Sequence, residues 1–250
     1  MTKNRIHWLI TLLLTGAVTY LVITTYRSPA PQEPITKDQV ASLVSEALLI
    51  RERELGKSAF AKVEREYLLA NTKTLNTLQY GDAAARINMQ MFSDIECPMC
   101  RKMHPVMKQI VDMSQGVIGW EYHHFPLARH NPNAAIESQA IECLHEAYGN
   151  RTAWVMLEIL FRETQGNGKG VESLSEIARS YGLSGSLIEN CLASHAHKEK
   201  INTDYELGRS LGVNATPAIQ ITDKQTNKSI IVKGYKTPEQ LLAIISELLK

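Results

Sequence analysis

Apolar residues crowd one stretch near the N-terminus and recur periodically elsewhere. Residues 6–26 contain no Asp, Glu, Lys or Arg, and Trp8, Leu9, Ile10, Leu12, Leu13, Leu14, Val18, Leu21, Val22 and Ile23 fill much of the run. As a helix it would be about 30 Å long, the thickness of a bilayer core. Lys3 and Arg5 precede it and Arg27 follows. The pattern predicts a membrane anchor over residues 1–27, with everything after Arg27 on the far side of the membrane. A cleaved signal peptide is the rival reading. Its apolar core would be shorter and end at a small-residue site, whereas Thr24, Thr25, Tyr26 and Arg27 follow here. Both readings export the remainder to a compartment where disulfides persist.

Residues 28–35, SPAPQEPI, read as a stiff proline-rich linker. A helical extension is predicted over 36–80. Val40, Leu43, Val44, Ala47, Leu48 and Ile50 recur at helical spacing, Gly56 interrupts, and Phe60, Val63, Tyr67 and Leu68 resume the pattern. Too few heptads can be written for a coiled coil. Two readings stay open: a helix packed on the domain behind it, or an oligomerisation stalk over 36–75. In the second, Val40, Val44, Leu48 and Leu55 form a seam flanked by Arg51, Glu52, Arg53 and Glu54, and Gly56 permits a bend.

From 81 to 250 the pattern is α/β. Ile87–Phe92 alternates as a strand does after the turn signal Tyr80-Gly81-Asp82. A helix opens at Cys97-Pro98-Met99-Cys100 and runs to about Met113. Val117–Phe125 is a second strand, and residues 133–210 are helical with breaks near Gly149, 166–170 and 182–185. Ala218–Thr222 and Ile230–Lys233 are two further strands. Thr237 caps a last helix through Leu249, with Pro238 at its first position. The order is β-α-β, a helical block inserted at about 130–210, then β-β-α, without internal repeats.

Composition narrows the class. The chain has 250 residues, 44% of them hydrophobic and 21% charged, with a net charge of +1. That excludes a disordered or collagen-like chain and gives no basis for a nucleic-acid partner. The 4 cysteines are Cys97, Cys100, Cys143 and Cys191. They are too few for a disulfide-dense scaffold. Cys143 shares a helix face with Ile136, Ala140 and Ala147, and Cys191 lies one turn after Leu187. If these apolar stripes face each other, Cys143 and Cys191 pair as a structural disulfide; two buried thiols that never meet is the other reading.

The segment FSDIECPMC, residues 92–100, carries the chemistry. A strand ends, and a cysteine sits where a helix begins. Pro98 suits the first turn, where its missing N–H has no intrahelical partner. Free N–H groups and the positive end of the helix dipole then face Cys97 and favour its thiolate. Cys100 lies one turn on, within disulfide reach. The pair suits thiol–disulfide exchange, with Cys97 attacking and Cys100 resolving. A zinc site would need Cys143 and Cys191, or histidines such as His123 and His124, as its other half. No metal or cofactor is expected. His123, His124, His130 and His195 have no motif and read as structural. Met99, Met103 and Met107 share one helix face; Met103 and Met107 read as core, and Met99 as the exposed client-facing residue. Thr216-Pro217 enters the third strand, where spacing alone indicates an ordinary strand-start proline.

Three segments, FSDIECPMC, FPLARHNPNAAIESQAIEC at 125–143 and LGVNATPAIQI at 211–221, together resemble the DsbA-like family of bacterial periplasmic thiol–disulfide oxidoreductases. The resemblance covers about residues 85–250. It implies a thioredoxin-like fold with an inserted helical domain, preceded here by the helical extension and the membrane anchor. It implies Cys97 as nucleophile, Cys100 as its partner, and Pro217 as a cis-proline preceded by Thr216. Thr216, Pro217, Pro98 and Met99 would meet the client. Two departures stand out. Many thioredoxin-like proteins carry a buried acid six residues before the first cysteine, where this chain has Met91. Strongly oxidising relatives have histidine at the position of Met99. Asp94 and Glu96 read as solvated loop charges, and Glu96 would raise the Cys97 pKa if close. An intermediate potential is expected, roughly between −120 and −270 mV.

The resemblance implies unfolded or misoxidised exported proteins as partners, and a membrane redox partner that re-oxidises or reduces the Cys97–Cys100 pair. The expected place is the periplasm, anchored in the inner membrane. Oxidase and isomerase or reductase directions stay open. A thiol-based copper(I) metallochaperone and a holdase-type chaperone are the alternatives from other classes.

Overall fold

The structure, a computed structural model, describes residues 37–70 and 77–250. The anchor, the proline-rich linker and residues 36 and 71–76 of the extension lie outside the described residues. Among the described residues no helix is long and apolar enough to cross a membrane. The chain divides into two units, residues 1–48 and 49–250.

Helix α1 spans Lys37–Glu64 without a break at Gly56. Within the second unit the reason for that glycine is packing. A Cβ there would lie 2.6 Å from the Ser180 carbonyl oxygen and 2.8 Å from the Gly182 nitrogen. Only glycine lets α1 come this close, so the bend expected from its position is replaced by a helix contact. After α1, Val63, Tyr67 and Ala70 are buried in the main core. Tyr67 donates to Glu158 Oε2 at 2.8 Å and lies 2.8 Å from His104 Nε2. Burial holds His104 down at about 4, so the ring is neutral and its Nε2–H donates to the tyrosine oxygen. The later part of the predicted extension is therefore built into the domain.

Five strands form one sheet in the order β1-β3-β2-β4-β5. They are β1 (Leu78–Tyr80), β2 (Ile87–Ser93), β3 (Ile118–His124), β4 (Ala218–Asp223) and β5 (Lys228–Lys233). The first of these lies inside the stretch predicted to be extension, so the sheet begins before residue 81. β2 and β3 are parallel, and the other pairs are antiparallel. A parallel pair needs a crossover, which α2 (Pro98–Met113) supplies. Its buried residues Cys100, Met103, His104, Met107, Ile110 and Val111 recur at helical spacing. All but His104 join Met89, Met91, Trp120, Ile219 and Ile221 of the sheet, and Leu241 and Ile245 of α8 (Pro238–Leu248), in one core, and the His104 ring packs edge-on against Trp120. The Thr237 side chain and Gln240 cap α8 reciprocally.

The helical block runs through α3 (Asn133–Tyr148), α4 (Asn150–Glu163), α5 (Leu174–Ser180), α6 (Gly185–Ser194) and α7 (Lys198–Ser210). It is inserted between β3 and β4, as the hydrophobic pattern predicts. Trp154 of α4 meets Trp120 of β3 edge-on, with ring centroids 4.5 Å apart. Cys143 of α3 and Cys191 of α6 are bonded, with an S–S distance of 2.02 Å and Cα atoms 6.1 Å apart.

Candidate active site

The strand β2 ends at Ser93, and the four residues Asp94 to Cys97 turn the chain into α2. Asp94 builds that turn. Its Oδ1 accepts the Glu96 N–H at 2.8 Å, its carbonyl accepts the Cys97 N–H at 3.0 Å, and its Oδ2 accepts the Leu127 N–H at 2.8 Å. His130 Nδ1 lies 2.8 Å from the same Oδ2. Burial raises the Asp94 pKa, and these donors oppose the rise.

Asp94 and Glu96 are both fully buried, so neither is the solvated loop charge expected from its position. Glu96 accepts the Thr164 hydroxyl and, at 2.9 Å, the Gly170 N–H. Its own carbonyl accepts the Asn167 N–H at 2.7 Å. Glu137, also buried, accepts the Val171 N–H at 3.2 Å. Burial first, and then the charge of Glu96, push the Glu137 carboxyl up to about 8. These two carboxyls tie the 164–171 loop to the active-site turn. An Asx turn at Asp94 was legible from local chemistry, since Asp side chains commonly bond the backbone two residues on. The partners of Glu96 have no local signal.

Cys97 occupies the N-cap of α2 with extended backbone (φ −83°, ψ 118°), and Pro98 follows. The Cys97 thiol donates to the Thr216 carbonyl oxygen at 3.5 Å. Thr216 and Pro217 are joined by a cis peptide bond, as are Asn131 and Pro132. The structure thus brings Cys97, Cys100, Thr216 and Pro217 together. Cys97 is only 4% exposed, Cys100 is fully buried, and Met99 beside them is 40% exposed. Met103 and Met107 are core residues.

The two sulfurs have opposed environments. The Cys97 thiol is held down at about 5, chiefly because the Cys100 thiol donates to its thiolate. Burial opposes this. The Thr216 hydroxyl and the N–H groups of Cys100 and Met99 add to it. Burial, then the neighbouring Cys97, push Cys100 far up. Glu96 is not among the principal groups that set the Cys97 pKa, and its carboxylate is directed at Thr164 and Gly170. Met91 is buried opposite Tyr122 and Ile219, so no acid stands at that position.

His123, His124 and His130 are partners of carboxylates. His123 Nδ1 lies 2.9 Å from Asp204 Oδ1, and His124 Nε2 lies 3.0 Å from Glu142 Oε1. His195 caps α6 in the left-handed region. Cys143 and Cys191 bond each other, so they do not complete a thiolate set with Cys97 and Cys100.

Residues 73–247 match the thioredoxin family. Among solved structures, the chain is similar to DsbA2 of Pseudomonas aeruginosa, with 30% identity and a TM-score of 0.62, over 68% of this chain and 93% of that one. The oxidised BdbD of Bacillus subtilis shares 16% identity at a TM-score of 0.58, over 73% of this chain and 98% of that one. The thiol–disulfide exchange protein alpha-DsbA2 of Wolbachia pipientis shares 17% identity at 0.56, over 78% and 97%. These last two likenesses concern the fold. Among curated proteins no relative matches the chain.

Proposed function

The chain belongs to the thioredoxin family, as a DsbA-like thiol–disulfide oxidoreductase, and on that premise we propose that it donates disulfides to exported proteins through Cys97 and Cys100. The observation that carries the direction is the place of the Cys97 sulfur at the N-cap of α2, where the Cys100 thiol, the Thr216 hydroxyl and the Met99 and Cys100 N–H groups favour its thiolate. A stabilised thiolate favours the reduced state of the enzyme, so its disulfide passes readily to a client. The exchange has two steps. A client thiolate attacks the Cys97 sulfur, and Cys100 leaves. A second client thiolate then attacks the mixed disulfide and releases Cys97. Met99 and the backbone of Thr216 flank the sulfur and are the surfaces an extended client would meet.

The apolar run at 6–26, with Lys3 and Arg5 before it, supports export with a membrane anchor, and a membrane redox partner would restore the disulfide. Leu43, Val44, Leu48 and Leu55 of α1 are each more than half exposed. That supports a second reading, self-assembly through 36–75 and with it disulfide isomerisation.

The test uses an unfolded thiol-bearing substrate protein. Cys97→Ser abolishes its oxidation, and Cys100→Ser, left with Cys97 as a lone thiol, accumulates mixed disulfides when the same substrate is offered in its disulfide-bonded form. Thiol trapping in cells then finds the Cys97–Cys100 pair mostly oxidised; a mostly reduced pair refutes the oxidase direction.

A further inference from the structure

Cys100 is the leaving group of the first step, and it leaves as a thiolate inside a fully buried pocket. Charge in such a place needs hydrogen-bond donors. The position from which a carboxyl acts in many thioredoxin-like proteins is the apolar Met91. The surrounding strands supply something else.

Met91 and Ser93 lie two residues apart on β2 and so point to the same face of the sheet. The parallel register sets Tyr122 beside Met91 and His124 beside Ser93. This is the face covered by α2, and Cys100 packs in one core with Met91 and Tyr122. Asp94 N, the next residue, donates to the Cys100 sulfur at 3.5 Å. Ser93, Tyr122 and His124 are all fully buried, yet Ser93 Oγ, the Tyr122 hydroxyl and His124 Nδ1 have no hydrogen-bond partner among the described residues. Three orphaned polar atoms on one strip of sheet behind a reacting sulfur call for an explanation.

We propose that Ser93 is the hydroxyl donor that receives the charge on the Cys100 sulfur during disulfide exchange, with Tyr122 behind it as a positioning residue. The client thiolate forms its bond to Cys97 Sγ. The Cys97–Cys100 bond breaks, and its electron pair goes to Cys100 Sγ. The Ser93 O–H and the Asp94 N–H donate to that sulfur, while the Tyr122 O–H donates to Ser93 Oγ and so commits the serine proton to the sulfur. No proton leaves its oxygen. In the second step the client carries away the disulfide, Cys97 departs as a thiolate, and Cys100 takes a proton from solvent. The client loses two electrons and the cysteine pair gains them.

Two observations agree with this placement. Hydrogen bonding from Ser93 favours the Cys100 thiolate, against the burial and the neighbouring Cys97 that oppose it. Burial keeps Tyr122 neutral, which preserves it as a donor. The inference rests on thiol–disulfide exchange and not on its direction.

The test has two readouts. In a Cys97→Ala background, the pH dependence of Cys100 alkylation gives the thiol pKa for Ser93→Ala, Ser93→Thr and Tyr122→Phe. In the full oxidised protein, stopped flow gives the rate of attack by dithiothreitol for the same substitutions. A hydrogen bond to a charged group predicts that Ser93→Ala slows attack about tenfold or more and raises the Cys100 pKa by about one pH unit. Ser93→Thr restores most of both, and Tyr122→Phe moves both less in the same direction. Unchanged rate and pKa in Ser93→Ala overturn the proposal. So does a Ser93→Thr variant as slow as Ser93→Ala with its Cys100 pKa unmoved, which marks a packing role. If Ser93→Ala does not fold, Tyr122→Phe decides, and an unmoved rate and pKa there also overturn it. A parent protein that fails to oxidise client thiols defeats the oxidase reading alone, since the Cys100 titration judges Ser93 separately.

Discussion

Replacing Thr216 with valine removes one hydroxyl next to the reactive sulfur and keeps the shape of the side chain. The Thr216 Oγ1 is buried and has no partner among the described residues in the dithiol state. It gains one when Cys97 ionises. The Cys97 thiol is held at about 5 by the Cys100 donor first, with burial opposing and the Thr216 hydroxyl next. Thioredoxin's attacking thiol titrates at about 7 with a potential of about −270 mV. Two pH units are worth about 2.7 kcal/mol, or about 60 mV for a two-electron couple. The parent protein is therefore expected at about −210 mV, an intermediate potential. A hydrogen bond to a charged group contributes about 1.5–3 kcal/mol. Because Thr216 is a lesser donor than Cys100, the low end applies. Thr216→Val should raise the Cys97 pKa by about one pH unit and lower the potential by about 30 mV. Far-ultraviolet thiolate absorbance across pH measures the first, and equilibration with a glutathione buffer measures the second. A parent Cys97 titrating above about 7 would refute the thiolate argument altogether. A variant identical to the parent would assign the effect to Cys100 and the helix N–H groups alone.

Three further outcomes are expected. Cys143 and Cys191 are 48 residues apart, so replacing both with serine should cost about 4 kcal/mol in the chain-entropy model, read as a lower urea midpoint while thiol exchange survives. Glu137 has a folded pKa raised to about 8 from an ordinary 4.5, so stability is full below about 4.5 and falls as pH rises through 8. Glu137→Gln should thus gain on the parent across that window, by up to a few kcal/mol, and denaturant midpoints that show a constant gap from pH 4 to 9 would contradict this. Finally, if α1 assembles protomers, a soluble form starting near Pro34 sediments as an oligomer at tens of micromolar, and a monomeric mass rules the assembly out.

Local patterns specified much of this molecule because the forces behind them act within a turn or a strand. Alternation marked β2, helical spacing marked α2, Pro98 marked its first turn, and Thr237 its counterpart at α8. The redox pair was legible for the same reason: a cysteine at a helix start is a property of adjacent residues. β1 escaped because three residues are too few to show alternation, and only pairing with β3 makes Leu78–Tyr80 a strand. Gly56 looked like a break because its partners, Ser180 and Gly182, lie more than a hundred residues away and turn the glycine into a contact. Asp94 and Glu96 looked solvated because charge next to a turn usually is. Their burial depends on Leu127 and His130 of the segment after β3, and on Thr164 and Gly170 of the inserted helical block, all brought over the active-site turn. The sequence by itself determined where a reactive sulfur stands at a helix start. Only the tertiary structure decided which donors surround it, since a buried polar group is stabilised by whatever the fold brings within hydrogen-bond reach, however distant along the chain.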